Sequence, residues 1–140
     1  MREVLVKVIG TQTDAGGEES RVEVVTRGTR HEKNGVSYVA YHESEVSGMD
    51  GAKTLLKVFS DHFVVVRQGL VEQNMKISSD QKCDGQYITP YGVMNISVDT
   101  KKMDMVVCGD YISLYAAYDL AIDDQWQSAN TLTVSVREEE

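Results

Sequence analysis

Six side chains of this sequence have the types and spacing to hold a small molecule: Tyr41, Glu43, Lys57, Arg67, Tyr87 and Tyr91. Glu43 and Lys57 flank a loop centred on Asp50. Antiparallel pairing about that residue sets Glu43 opposite Lys57, Tyr41 opposite Phe59 and Glu45 opposite Leu55, all on one sheet face. Facing inward, this set offers a carboxylate and an ammonium among aromatic and aliphatic groups, a mixture that orients a small polar ligand. Facing outward, Glu43 and Lys57 form a surface pair contributing about 0.2–1 kcal/mol. The opposite parity, Val36, Tyr38 and Ala40, is at least as apolar, so the pattern favours the outward or purely structural reading.

Arg67 ends the run Phe63-Val64-Val65-Val66, where a guanidinium needs a carboxylate or an anionic ligand. A three-residue connection over Ser60-Asp61-His62 puts it on the face of Glu43 and Lys57; a two-residue connection puts it on the other. Two basic groups against Glu43 would favour a carboxylate or phosphate ligand. The plainer reading is a strand-end arginine paired at a rim. Tyr87 and Tyr91 bracket Thr89-Pro90-Tyr91-Gly92, a β-turn by its proline and glycine; the alternative is a binding mouth built on that turn.

The sequence shows no nucleophile, metal or phosphate signature. His31, His42 and His62 share no ligand spacing, and His42 and Glu43, as strand neighbours, point to opposite faces. Cys83 and Cys108 match neither a zinc nor a dithiol pattern and read as free thiols. No catalytic residue, cofactor or metal is expected; an enzyme using His42, Glu43 and Arg67 is the weakest of three functional readings.

The elements that would position these residues alternate with a period of two almost end to end. Strands are expected over 3–13, 19–30, 36–46, 53–60, 63–69, 70–78, 86–88, 93–100, 111–122 and about 131–136, with 79–85 a polar connection. Asp14-Ala15-Gly16-Gly17 and Asn34-Gly35 carry residues that tolerate positive φ. Between 111 and 122 the apolar residues Ile112, Leu114, Ala116, Leu120 and Ile122 share one parity with Tyr118, which a helix would scatter around its circumference. Trp126, the only tryptophan, is expected to plug one end as core. Eight to ten antiparallel strands with short connections imply an all-β chain, one domain over 1–140, closed as an up-and-down β-barrel to remove exposed edges.

Hydrophobic residues make up 41% and charged residues 26%, ordinary globular values. Fourteen basic against 22 acidic side chains give a net charge of -8; residues 71–140 carry 5 basic and 12 acidic of these. Nucleic acid is therefore excluded as an expected partner. Neither a signal peptide nor an apolar stretch near the ~20 residues of a spanning helix is read, so no membrane partner is expected and the location is read as cytoplasmic.

Ordered blocks carry a family likeness: Tyr41-His42-Glu43-Ser44-Glu45, Gly48-Met49-Asp50-Gly51-Ala52-Lys53-Thr54, Leu56-Lys57, Arg67-Gln68-Gly69 and Tyr87-Ile88-Thr89-Pro90-Tyr91-Gly92. Over essentially the whole chain the sequence resembles the YwiB-like proteins, small uncharacterised bacterial proteins. The resemblance implies a lipocalin-like (calycin) barrel and a cytoplasmic bacterial setting. It brings no catalytic or binding residues, and His42 departs from the acidic residue expected in relatives. The leading functional reading is a non-enzymatic intracellular barrel that binds a small anionic or amphipathic ligand in its interior. The alternative is an interaction module presenting its acidic carboxy-terminal half to a basic partner. Oligomeric state is not legible.

Overall fold

The computed structural model describes residues 2–42, 53–69 and 71–138. Alternation becomes ten strands: β1 (Arg2–Asp14), β2 (Glu19–Lys33), β3 (Val36–His42), β4 (Lys53–Val58), β5 (His62–Gln68), β6 (Glu72–Ser78), β7 (Lys82–Thr89), β8 (Gly92–Val107), β9 (Tyr111–Ile122) and β10 (Gln125–Glu138). Each pairs antiparallel with its sequence neighbours, and β1 pairs with both β2 and β10, so the sheet closes into a barrel. Closure leaves no outer edge along the first strand. Among the described residues, no helix is long and apolar enough to cross a membrane.

One parity of every strand fills the interior. Val4 and Val6 of β1, Ile112, Leu114 and Ala116 of β9, and Val134 and Val136 of β10 are buried, with Leu56, Phe63, Val65, Met75, Ile77, Ile96 and Val98 completing the core. Each large aliphatic or aromatic side chain so buried contributes about 1.5–3 kcal/mol, which sets register strongly because a one-residue slip would expose the whole set.

The turns follow their residues. Asn34 (φ 54°) and Gly35 (φ 78°) occupy the left-handed positions of a two-residue hairpin. Asp14 caps its own turn by accepting from the Gly16 and Glu18 N–H groups, each at 2.9 Å. Pro90 and Tyr91 form the loop between Thr89 and Gly92, and the Thr89 hydroxyl bridges it, accepting from the Tyr91 N–H (3.1 Å) and donating to the Gly92 carbonyl (3.0 Å).

Three expectations are corrected. The segment read as a polar connection over 79–85 already contains β7 from Lys82, which pairs with β8 along its whole length and with β6 only at Glu72–Asn74. Gly85 marks the crossing, since a Cβ there would lie 2.2 Å from the Asn74 carbonyl oxygen. The last strand begins at Gln125, not near 131. Trp126 is not core: a register shift between Trp126 and Ser128 turns it outward, 46% exposed.

Candidate functional site

The β3–β4 register decides where the sequence-predicted residues go. Tyr41 pairs with Thr54, Tyr38 with Lys57 and Ala40 with Leu55, so the pairings of Tyr41 with Phe59, Glu43 with Lys57 and Glu45 with Leu55 are not formed. The observed register differs from that expected by an odd number of residues, and odd offsets exchange faces. Tyr41 is buried on the inner face, whereas Lys57 lies on the outer face opposite Tyr38 and Val64. Glu43 lies outside the described residues.

Between β4 and β5 the shorter connection is realised. Phe59 N–H donates to the His62 carbonyl (2.9 Å) across Ser60 and Asp61, and Thr54 pairs with Arg67. Arg67 therefore follows Phe63 and Val65 on the inner face and donates from Nη1 to Gln73 Oε1 at 3.0 Å. Tyr87 also packs against the core, opposite Gln73. Tyr91 does not join them, standing 99% exposed at the hairpin tip.

Registered pairing aligns polar residues on the inner face in two rows. One runs Tyr41, Thr54, Arg67, Gln73, Tyr87 across β3 to β7. The other runs Thr100, Tyr118, Asn130, Gln12, Ser20 across β8, β9, β10, β1 and β2. Where the rows face each other, at the end bearing the β1–β2, β5–β6 and β9–β10 turns (the upper end), a cavity of about 200 Å³ opens. Arg67, Tyr118, Asn130, Gln12 and Ser20 supply its polar lining, and Val8, Val22, Val24 and Leu132 its apolar lining.

Burial pushes the Tyr118 phenol up, and the nearby Arg67 guanidinium opposes that shift only in part. The Tyr118 hydroxyl makes no hydrogen bond to another described residue, so it is held neutral and able to donate. Asn130 Nδ2 is turned to its own strand, donating to the Ser128 carbonyl (3.3 Å) and hydroxyl (2.9 Å). Its carbonyl oxygen, an acceptor, takes no hydrogen bond from another described residue. Thr100 is buried, and its hydroxyl has no hydrogen-bond partner among the described residues.

The opposite, lower end uses its charges on one another. Arg30, 2% exposed, donates from Nε to Glu32 (2.7 Å) and from Nη2 to the Cys108 carbonyl (2.9 Å). Arg2 joins Glu32 (2.7 Å) to Glu138 and to the Gly109 carbonyl (2.6 Å). Burial works to raise the Glu32 carboxyl, but Arg30, Arg2 and the Ser37 hydroxyl outweigh it and hold the group below the usual carboxylate range. A recess of about 210 Å³ at this end is lined by Gly35, Ser37, Val58, Phe59, Ser60, Met105 and Val107, with no charged group.

The remaining candidates are surface features. His31 stacks on Tyr38, His62 stacks on Phe59 and bonds Asp61 at 2.6 Å, and His42 is exposed opposite Lys53. Cys83 and Cys108 are free thiols. Among the described residues, no three His, Cys, Asp or Glu side chains could hold a metal ion.

Sequence reasoning missed Arg30, Tyr118, Asn130, Gln12, Ser20, Gln73 and Thr100. The usable signal was a polar residue on the parity that is otherwise apolar: Tyr118 in phase with Ile112, Leu114 and Ala116, and Arg30 in phase with Val22 and Val24.

Comparison with known proteins agrees with this architecture. The chain is 23% identical over 119 residues, 85% of its own length and 82% of the relative's, to the uncharacterized beta-barrel protein YwiB of Bacillus subtilis. The crystal structure of that protein superposes with a TM-score of 0.85 at 19% identity, covering 99% of this chain and 93% of the other. The family model for a domain of unknown function, DUF1934, matches residues 6–134, and the chain belongs to that family.

Proposed function

We propose that the protein is a non-enzymatic, lipocalin-like barrel of the cytoplasm that holds one small amphipathic molecule in its upper cavity. The observation that carries this reading is the lining, with Arg67 and Tyr118 as hydrogen-bond donors beside an apolar wall of Val8, Val22, Val24 and Leu132. Arg67 and the Tyr118 hydroxyl would take an acceptor-bearing head group, carboxylate being the best match to a guanidinium. At about 200 Å³ the cavity has room for about six or seven waters, so the occupant has roughly a dozen non-hydrogen atoms or fewer.

Isothermal titration with hexanoate and hexanol tests the proposal. Saturable binding of hexanoate is expected, about tenfold weaker in Arg67→Leu and abolished in Val22→Phe, where a ring fills the cavity. Absence of saturable binding for both probes, or unchanged binding in Val22→Phe, would sink the interior site.

A further inference from the structure

The outer surface carries a second groove, separate from the interior cavity. It measures about 360 Å³ and is lined by Asp84, Asn95, Ile96, Ser97, Asp123 and Asp124. One registered row places it: Asp84 pairs with Ser97, Ser97 with Ala121, and Ala121 with Trp126. Ser97 on β8 and Asp84 on the β7 side line the groove, and beyond Ala121 on β9 the same row reaches Trp126 on β10, outside the lining. Asp123 and Asp124 form the two-residue turn between β9 and β10, and the Asp123 N–H donates to the Asn95 carbonyl (2.9 Å), fixing the turn at the groove's edge.

The groove differs from a merely solvated acidic surface. Ser97 is only 8% exposed and lines the groove, yet its hydroxyl makes no hydrogen bond to another described residue. In the row below, Asp99 takes Lys101 at 2.8 Å and sits opposite Lys82, so that charge is answered. Asp84, Asp123 and Asp124 make no ion pair among the described residues. Nor do they converge as a metal-ligand set. Carboxylates along the groove, the hydroxyl of the largely buried Ser97 and an exposed indole two strands from it on the same face match an elongated cation. Its charged head would donate to oxygen while its methylenes lie against the ring.

We propose that this groove binds the ammonium or guanidinium group of an organic cation, with Asp84, Asp123 and Asp124 as counter-charges, Ser97 as acceptor and Trp126 as the apolar flank. Such a head group has two sources, a free polyamine or a lysine or arginine side chain of a partner protein.

Trp126 is the only tryptophan, so the fluorescence of the full chain reports binding directly. Spermidine and an acetylated pentapeptide of alternating lysine and leucine serve as probes. The informative variant is Asp123→Asn with Asp124→Gly, which removes two carboxylates while installing the residues that this turn prefers, so the hairpin is retained. A saturable fluorescence change is expected, weakened by added salt and about fivefold to tenfold weaker in the double variant. Tighter binding of spermidine assigns a free polyamine; tighter binding of the peptide assigns a partner protein. No saturable response to either probe up to about 10 mM, or equal affinity in a double variant of unchanged melting temperature, would overturn the proposal.

Discussion

Arg30 at the lower end of the barrel and Tyr118 near the upper end both interrupt an apolar parity, yet they meet different surroundings. Arg30 is held by Glu32 and the Cys108 carbonyl, and Arg2 ties the same carboxylate to Glu138. The Tyr118 hydroxyl makes no hydrogen bond to another described residue and faces a cavity with Arg67. Recesses of similar size, about 210 and 200 Å³, occupy the two ends, so volume does not distinguish them. What differs is where the polar groups are directed. At the lower end they answer one another and fasten the strand ends, except Arg30 Nη1, which has no hydrogen-bond partner among the described residues; at the upper end the Tyr118 hydroxyl, without a hydrogen bond to another described residue, borders a cavity that a ligand could fill.

The largest expected effect is on the lower end. Arg30→Ala removes a buried cation from its carboxylate and carbonyl partners and should cost about 3–5 kcal/mol, lowering the melting temperature by roughly 10 °C or more. A loss below about 1 kcal/mol would show the cluster to be solvated surface and break the comparison. Between the ends, Gly85→Ala forces a Cβ to 2.2 Å from the Asn74 carbonyl oxygen, and about 1–3 kcal/mol should be lost in urea denaturation.

Acid should act on the lower end in a defined direction. The folded Glu32 carboxyl lies below its unfolded value, so its contribution is complete above about pH 4.3 and disappears as pH falls through the depressed folded value. Urea denaturation between pH 2 and pH 6 should show this slope, and Glu32→Gln should reduce it. The smallest stability change is predicted at the upper end: Tyr118→Phe should leave stability within about 0.5 kcal/mol, because its hydroxyl makes no hydrogen bond to another described residue. The same variant should weaken hexanoate binding about fivefold, a split that an ordinary core tyrosine would not give.

The contrast also shows which parts of the molecule were legible in sequence. Alternation gave the all-β barrel, and Asn34-Gly35 and Pro90-Tyr91 marked their turns, because backbone conformation is local. The β3–β4 register was not legible from a presumed loop centre: Tyr38, not Glu43, sits opposite Lys57, and that odd offset put Tyr41 inside and Lys57 outside. Lys82 to Gly85 read as a connection because it lacks an apolar phase, but it becomes strand by pairing with Asp99 to Ile96. Trp126 looked like core by size alone, and the irregularity before Ser128 reversed its face. Arg67 and Tyr87 do share the inner face, while the partners completing the cavity come from β1, β2, β9 and β10, a proximity created only by barrel closure.

Methyl-resolved NMR during a hexanoate titration tests the difference between the ends most directly. Saturable shifts confined to Val8, Val22, Val24 and Leu132, with Val58 and Val107 unmoved, are the predicted result. Shifts centred on Val58 and Val107, or spread without saturation over both sets, would contradict it.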